Sequence, residues 1–89
     1  MTTHKNISVF GRVQGVGFRF SAKLQADQLG IKGVIRNEDD GSVYIEAEGE
    51  KENVEKFITW CYEGPGFAKV EKINIEEGKI QKFVSFEIE

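Results

Sequence analysis

Residues 5–30, KNISVFGRVQGVGFRFSAKLQADQLG, change period partway along, and that change decides the fold class. From Lys5 to Val13 the chain alternates, with Ile7 and Val9 on one side and Ser8 and Phe10 on the other. This is the pattern of a half-buried strand. From Phe18 to Leu29 the apolar residues recur at helical spacing. Phe18, Ala22, Ala26 and Leu29 form one stripe, while Lys23, Asp27 and Gln28 lie off it. Gly30 follows where a helix commonly ends in a residue of positive φ. The glycine-bearing loop Gln14 to Gly17 joins the two.

Outward from this unit, Ile31 to Asn37 predicts a second strand and Glu38-Asp39-Asp40-Gly41 a turn. Ser42 to Glu48 alternates again, with Val43, Ile45 and Ala47 on one face. Asp-Gly between two alternating runs is a hairpin signal, so Asp39 and Asp40 are read as turn residues rather than as a metal-binding pair. Glu50 to Tyr62 predicts a second amphipathic helix, with Val54, Phe57, Ile58 and Cys61 at helical spacing and Gly64-Pro65-Gly66 as its stop. Acidic residues in its first turn suit the helix dipole. Lys69 to Glu76 and Phe83 to Ile88 predict two more strands, separated by a loop around Gly78. The order is βαββαβ with an extra C-terminal strand. It implies an α+β, ferredoxin-like sandwich, an antiparallel sheet with two helices on one face.

Eighty-nine residues suffice for one domain, expected to span residues 1–89. A hydrophobic fraction of 39% and a charged fraction of 30% are ordinary for a soluble globular protein. The net charge of −3 disfavours a general nucleic-acid surface, so an anionic ligand needs a local positive site. One cysteine and one histidine exclude an intrachain disulfide and a Cys/His zinc site. The first residues hold no apolar core of a secretory signal. No apolar run approaches the ~20 residues that span a bilayer. The expectation is a cytoplasmic protein with no membrane or nucleic-acid partner.

A loop that leaves a strand and opens a helix aims backbone N–H groups from the positive end of the helix dipole, and can bind an anion without a metal. Gly15 and Gly17 can take positive φ there, and Arg19 adds a charged fork suited to phosphate oxygens. Alone, such a loop is also what many tight turns look like. No Gly-Lys-Ser/Thr follows, and Phe20 stands where a dinucleotide fingerprint has its third glycine, so nucleotide binding is rejected.

Gly11-Arg12-Val13-Gln14-Gly15-Val16-Gly17-Phe18-Arg19 resembles the first signature of the acylphosphatases, whose core is Gly-x-Val-Gln-Gly-Val-x-Phe-Arg. Gly33-Val34-Ile35-Arg36-Asn37, through Gly41-Ser42-Val43 to Gly49, resembles the second. The resemblance continues through Gly64-Pro65 and covers nearly the whole chain. It implies an acylphosphate phosphohydrolase with no cofactor and no metal. By it, the loop backbone of Gly15, Val16, Gly17, Phe18 and Arg19, with the Arg19 side chain, binds the phosphoryl group, and Asn37 orients the attacking water. The implied substrate is a small-molecule acyl phosphate, with inorganic phosphate or a similar anion able to occupy the loop of a monomer. One departure stands out. Val34 replaces the aromatic residue usual after the first glycine of the second signature, and Ile35 is bulkier than usual there. Alternation puts Val34 on the face opposite Ile35 and Asn37, so the change touches packing rather than chemistry.

The implied chemistry fits the residue types. A leaving carboxylate is a weak base and needs no strong general acid, and no histidine lies near the motifs. What remains is to place the phosphoryl group, offset its charge and hold water in line. Asn37 can accept from a water and donate to phosphate, but an amide is no strong base. Cys61, on an apolar stripe, is read as a small buried hydrophobe. His4 is expected in a frayed terminus without a partner. Trp60 and Tyr62 are expected to cap the edge of the core, and Arg12 and Lys23 to be solvated charges. The alternative from another class is a non-catalytic ferredoxin-like module binding an anion or a partner.

Overall fold

A computed structural model describes residues 1–89. The elements run β1 (Thr2–Arg12), α1 (Phe18–Leu29), β2 (Lys32–Asn37), β3 (Val43–Glu50), α2 (Lys51–Glu63), β4 (Lys69–Glu77) and β5 (Phe86–Ile88). They form a five-stranded sheet in the order β4-β1-β3-β2-β5. The alternation in β1 and β3 has the expected consequence. Ile7, Val9, Val43, Ile45 and Ala47 are buried under the helices, and Ile7 faces Ile45 across the ladder as Val9 faces Val43. From the other layer Phe18, Ala22 and Ala26 of α1 and Val54, Phe57 and Cys61 of α2 close the same core. Trp60 is half-buried at its edge, 5.4 Å from the Phe18 ring and 6.2 Å from that of Phe57. Tyr62 stays exposed. No helix is long and apolar enough to cross a membrane.

The helix ends follow the glycines. Gly30 caps α1 in the left-handed region at φ 69°, its N–H reaching the carbonyls of Ala26 and Asp27. Gly64 closes α2. In the β2–β3 turn Asp40 Oδ1 accepts from both the backbone N–H and the hydroxyl of Ser42, at 2.9 and 2.6 Å. These bonds, the hydroxyl's first, hold the Asp40 carboxyl below its ordinary value. Val34 and Ile35 fall on opposite faces, Ile35 fully buried and Val34 half-buried opposite Glu46.

The first four strands form the expected antiparallel sheet, and the C-terminal strand adds a feature of its own. β5 pairs parallel with β2, Gly33 beside Phe86 and Ile35 beside Ile88, so the complete sheet is mixed. Because β4 and β5 are opposite edges, residues 78–85 must cross the sheet. They cross on the face away from the helices. Gln81 and Phe83 donate their backbone N–H groups to Glu48 at 2.6 and 3.1 Å. The Phe83 ring stacks on His4 with centroids 5.9 Å apart. This strap corrects the expectation for His4. Far from frayed, His4 is 3% exposed, its ring nitrogens 2.8 Å from Glu48 Oε1 and 2.9 Å from Asn6 Oδ1.

Candidate active site

Both β1 and β2 run antiparallel to β3, so they run the same way and their C-terminal ends share one end of the sheet. The loop that follows Arg12 therefore arrives beside Asn37, the last residue of β2. Register refines this: Asn37 is opposite Val43, which is opposite Val9 on the other side. Asn37 thus shares the helix-facing side of the sheet and lies next to the opening turn of α1.

The loop is hung between two buried apolar anchors, Val13 at 1% and Phe18 at 2% exposure. Between them Gly15 takes φ 75° and Gly17, the N-cap of α1, takes φ 80°. A Cβ at either glycine would meet nothing within 4 Å, so it is the backbone angle and not space that calls for glycine here. The resulting path leaves the backbone N–H groups of Gly15, Val16, Gly17, Phe18 and Arg19 without any acceptor in the chain, the first closing bond being Ser21 N–H to the Gly17 carbonyl. Unpaired donors at a helix N-terminus form an anion nest. Val16 packs its side chain against the core, and the Phe18 ring is buried beside Trp60, so both can offer a ligand only their backbone.

Arg19 is half-buried on the first turn of α1. Its side chain makes one long bond, from Nη1 to the main-chain oxygen of Glu89 at 3.4 Å, and no Asp or Glu side chain pairs with it. The neighbouring Arg36 differs, being paired with Glu38 and Glu89 and stacked on Tyr44. Full positive charge at Arg19 is therefore available to a ligand in a protein of net charge −3. Gly15, Gly17, Arg19 and Asn37 line one cleft of about 230 Å³, walled further by Val13, Phe18, Phe20 and Ile88. Asn37 Oδ1 is buried and has no hydrogen-bond partner. Turning the amide about its last bond exchanges O and N, so the group can present either an acceptor or a donor. A buried polar atom without a partner is costly in a purely structural role. Of the site residues expected from the sequence, Gly15, Gly17, Phe18, Arg19 and Asn37 line this one cleft, while Val16 lies within the same loop but is not part of the lining.

Three contributors were not foreseen. Gln14 donates from Nε2 to the carbonyls of Glu38 and Ser42 at 2.8 and 2.9 Å, tying the loop to the turn that follows Asn37. Lys23, expected to be solvated, donates to the Phe86 carbonyl at 2.7 Å and so fastens β5 to α1. Ile88 is delivered to the cleft by that strand. Gln14 was visible as part of a motif, but its acceptors lie far away in sequence. Cys61 is fully buried away from the cleft, and burial pushes its thiol well above the ordinary value.

The comparisons with known proteins agree with this geometry. The acylphosphatase family model matches residues 5–88. An acylphosphatase of a Nocardioides species is 43% identical over 97% of this chain and 87% of its own length. One from Ligilactobacillus salivarius is 46% identical over 92% of each chain. The crystal structure of acylphosphatase from Bacillus subtilis superposes with a TM-score of 0.94 at 37% identity, covering 99% of this chain and 98% of that one. A non-catalytic module is not favoured against this background. With both signatures folded onto one cleft and relatives matched along nearly their full length, the chain belongs to the acylphosphatase family.

Proposed function

We propose that Arg19, the loop amides and Asn37 hydrolyse the carboxyl–phosphate bond of acyl phosphates in one displacement at phosphorus. The backbone N–H groups of Gly15 through Arg19 and the Arg19 guanidinium hold the phosphoryl oxygens and offset their charge, a role that needs positioning and electrostatics rather than covalent chemistry. Asn37 holds a water in line with the bond that breaks. The water oxygen bonds to phosphorus, and the P–O bond to the acyl group breaks with its electron pair. The carboxylate leaves as a weak base and the water's protons pass to phosphate and solvent. No acid within the protein is required and no metal is invoked. Residues 1–89 act as a single domain, a cytoplasmic monomer, on small-molecule acyl phosphates, and inorganic phosphate or a similar anion competes for the loop.

The observation that carries this reading is the Asn37 amide, partnerless at Oδ1 and lining the same cleft as the free charge of Arg19. The test is hydrolysis of benzoyl phosphate by wild type, Arg19→Ala and Asn37→Ala, with and without EDTA. Activity in wild type, unaffected by EDTA and reduced in both variants, is expected. An inactive wild type would return the weight to an anion-binding module, and loss of activity with EDTA would overturn the metal-free displacement.

A further inference from the structure

One side of the cleft is unused by the phosphoryl group. Phe20 follows Arg19 on the first turn of α1, lines the cleft, and is 65% exposed. Ile88 lines it from β5 and is 40% exposed. Single exposed apolar residues are common and need no explanation. Here, however, two large ones border the same cleft as the phosphate-holding groups. Leu24, one helical turn beyond Phe20 and 49% exposed, continues the apolar strip away from the loop. The charged or amide side chains of the cleft are Arg19 and Asn37, both assigned to the phosphoryl group in the hydrolysis reading. Beyond these two, the side chains that line the cleft are hydrocarbon and offer no charge or hydrogen bond to an acyl group.

Resting on the hydrolysis reading above, we propose that Phe20 and Ile88 form an apolar seat for the acyl group, so that the preferred substrates are phosphates of aromatic or branched aliphatic acids. The physical reason is area. An acyl group laid against Phe20 removes from water both its own surface and that of a ring otherwise left wet. A short acyl group covers little of either, and one bearing a second charge would leave that charge against hydrocarbon. Apolar contacts of this size discriminate by roughly tenfold or more.

The experiment compares kcat/KM for benzoyl phosphate and acetyl phosphate in wild type, Phe20→Ala, Phe20→Leu and Ile88→Ala. Each ratio is divided by that of wild type, so that differences in intrinsic reactivity cancel. The benzoyl-to-acetyl ratio is expected to fall roughly tenfold in Phe20→Ala, less in Phe20→Leu, and severalfold in Ile88→Ala. Phe20 is mostly exposed, so its truncation leaves the core intact, and thermal melting of each variant checks this. An unchanged ratio in both Phe20→Ala and Ile88→Ala would overturn the apolar seat while leaving the hydrolase standing. No hydrolysis of either substrate by wild type would remove the underlying reading instead.

Discussion

At the scale of single residues, Arg19 and Asn37 line one cleft, and the proposed mechanism gives them different parts of the free energy. Arg19 brings a charge that no acidic side chain pairs with and several donors, which in that mechanism act on bound phosphate and on the transition state alike. In the proposed mechanism Asn37 acts on the water, which matters only as the new bond forms. Removing one well-placed donor to developing charge costs ~3 kcal/mol, roughly a hundredfold in rate. Asn37→Ala is therefore expected to lower kcat about a hundredfold and leave competitive inhibition by inorganic phosphate nearly unchanged. Arg19→Ala is expected to lower kcat at least as far and to weaken phosphate inhibition as well. Steady-state kinetics with phosphate as inhibitor separates the two. Should Asn37→Ala abolish phosphate binding and keep its turnover, the assignment would be reversed. The placing of both residues beside one cleft could be read in the sequence because each sits in a motif tied to a local change of period, strand to helix for Arg19 and strand to turn for Asn37. His4 could not be read this way. Its burial depends on Glu48 and Phe83, which come to it only through the sheet register and the strap.

Between elements, the site depends on how the loop after β1 is joined to the turn after β2. Gln14 makes that joint, both acceptors being backbone carbonyls of the turn. Gln14→Ala removes the donors and leaves room for water. Gln14→Glu keeps the shape but sets a carboxylate against two carbonyls. The isosteric change is therefore expected to be the worse one, with kcat/KM falling roughly a hundredfold against roughly tenfold for alanine, as small misplacement of reacting groups allows. Wild-type activity in Gln14→Glu would show that the joint does not set the site. A second junction lies at Gly33 within β2. Its φ is 150°, and a Cβ would run into the Glu46 carbonyl oxygen of β3. Gly33→Ala is expected to cost at least ~2 kcal/mol, lowering Tm by about 10 °C. A thermal melt within a few degrees of wild type would contradict the close approach. The glycine belongs to the second signature, yet the carbonyl that requires it lies on another strand. The parallel pairing of β5 was hidden for a similar reason. Three paired residues carry little periodic signal, and their direction follows from where the strap crosses.

For the molecule as a whole, the strap carries the chain from one edge of the sheet to the other. His4 and Glu48 lie near the start of β1 and the end of β3, the end opposite the cleft, because β1 runs from them toward Arg12. Held there, residues 78–85 turn into β5, which runs beside β2 back to the cleft and delivers Ile88. Glu48 is the clamp. Burial pushes its carboxyl up, but the backbone N–H of Gln81, the His4 ring and the backbone N–H of Phe83 outweigh this and hold it below its ordinary value. The folded chain thus favours charged Glu48. As pH falls below the ordinary glutamate range, the unfolded chain takes up this proton first, and stability declines until the folded-state value is passed. Above that range the contribution is fully present. Glu46, whose Oε1 lies 3.2 Å from His4 Nε2, shares the cluster, so the comparison isolates Glu48 by substitution rather than by pH alone. Glu48→Gln keeps an acceptor but loses the charge and puts an NH₂ group against backbone donors. It is expected to cost on the order of 2 kcal/mol near neutral pH and to flatten the acid side of the stability profile. Urea unfolding followed from about pH 7 down to about pH 3 reads both effects. If the wild-type and variant profiles ran parallel through the acid range, Glu48 would not be the group that couples the strap to pH.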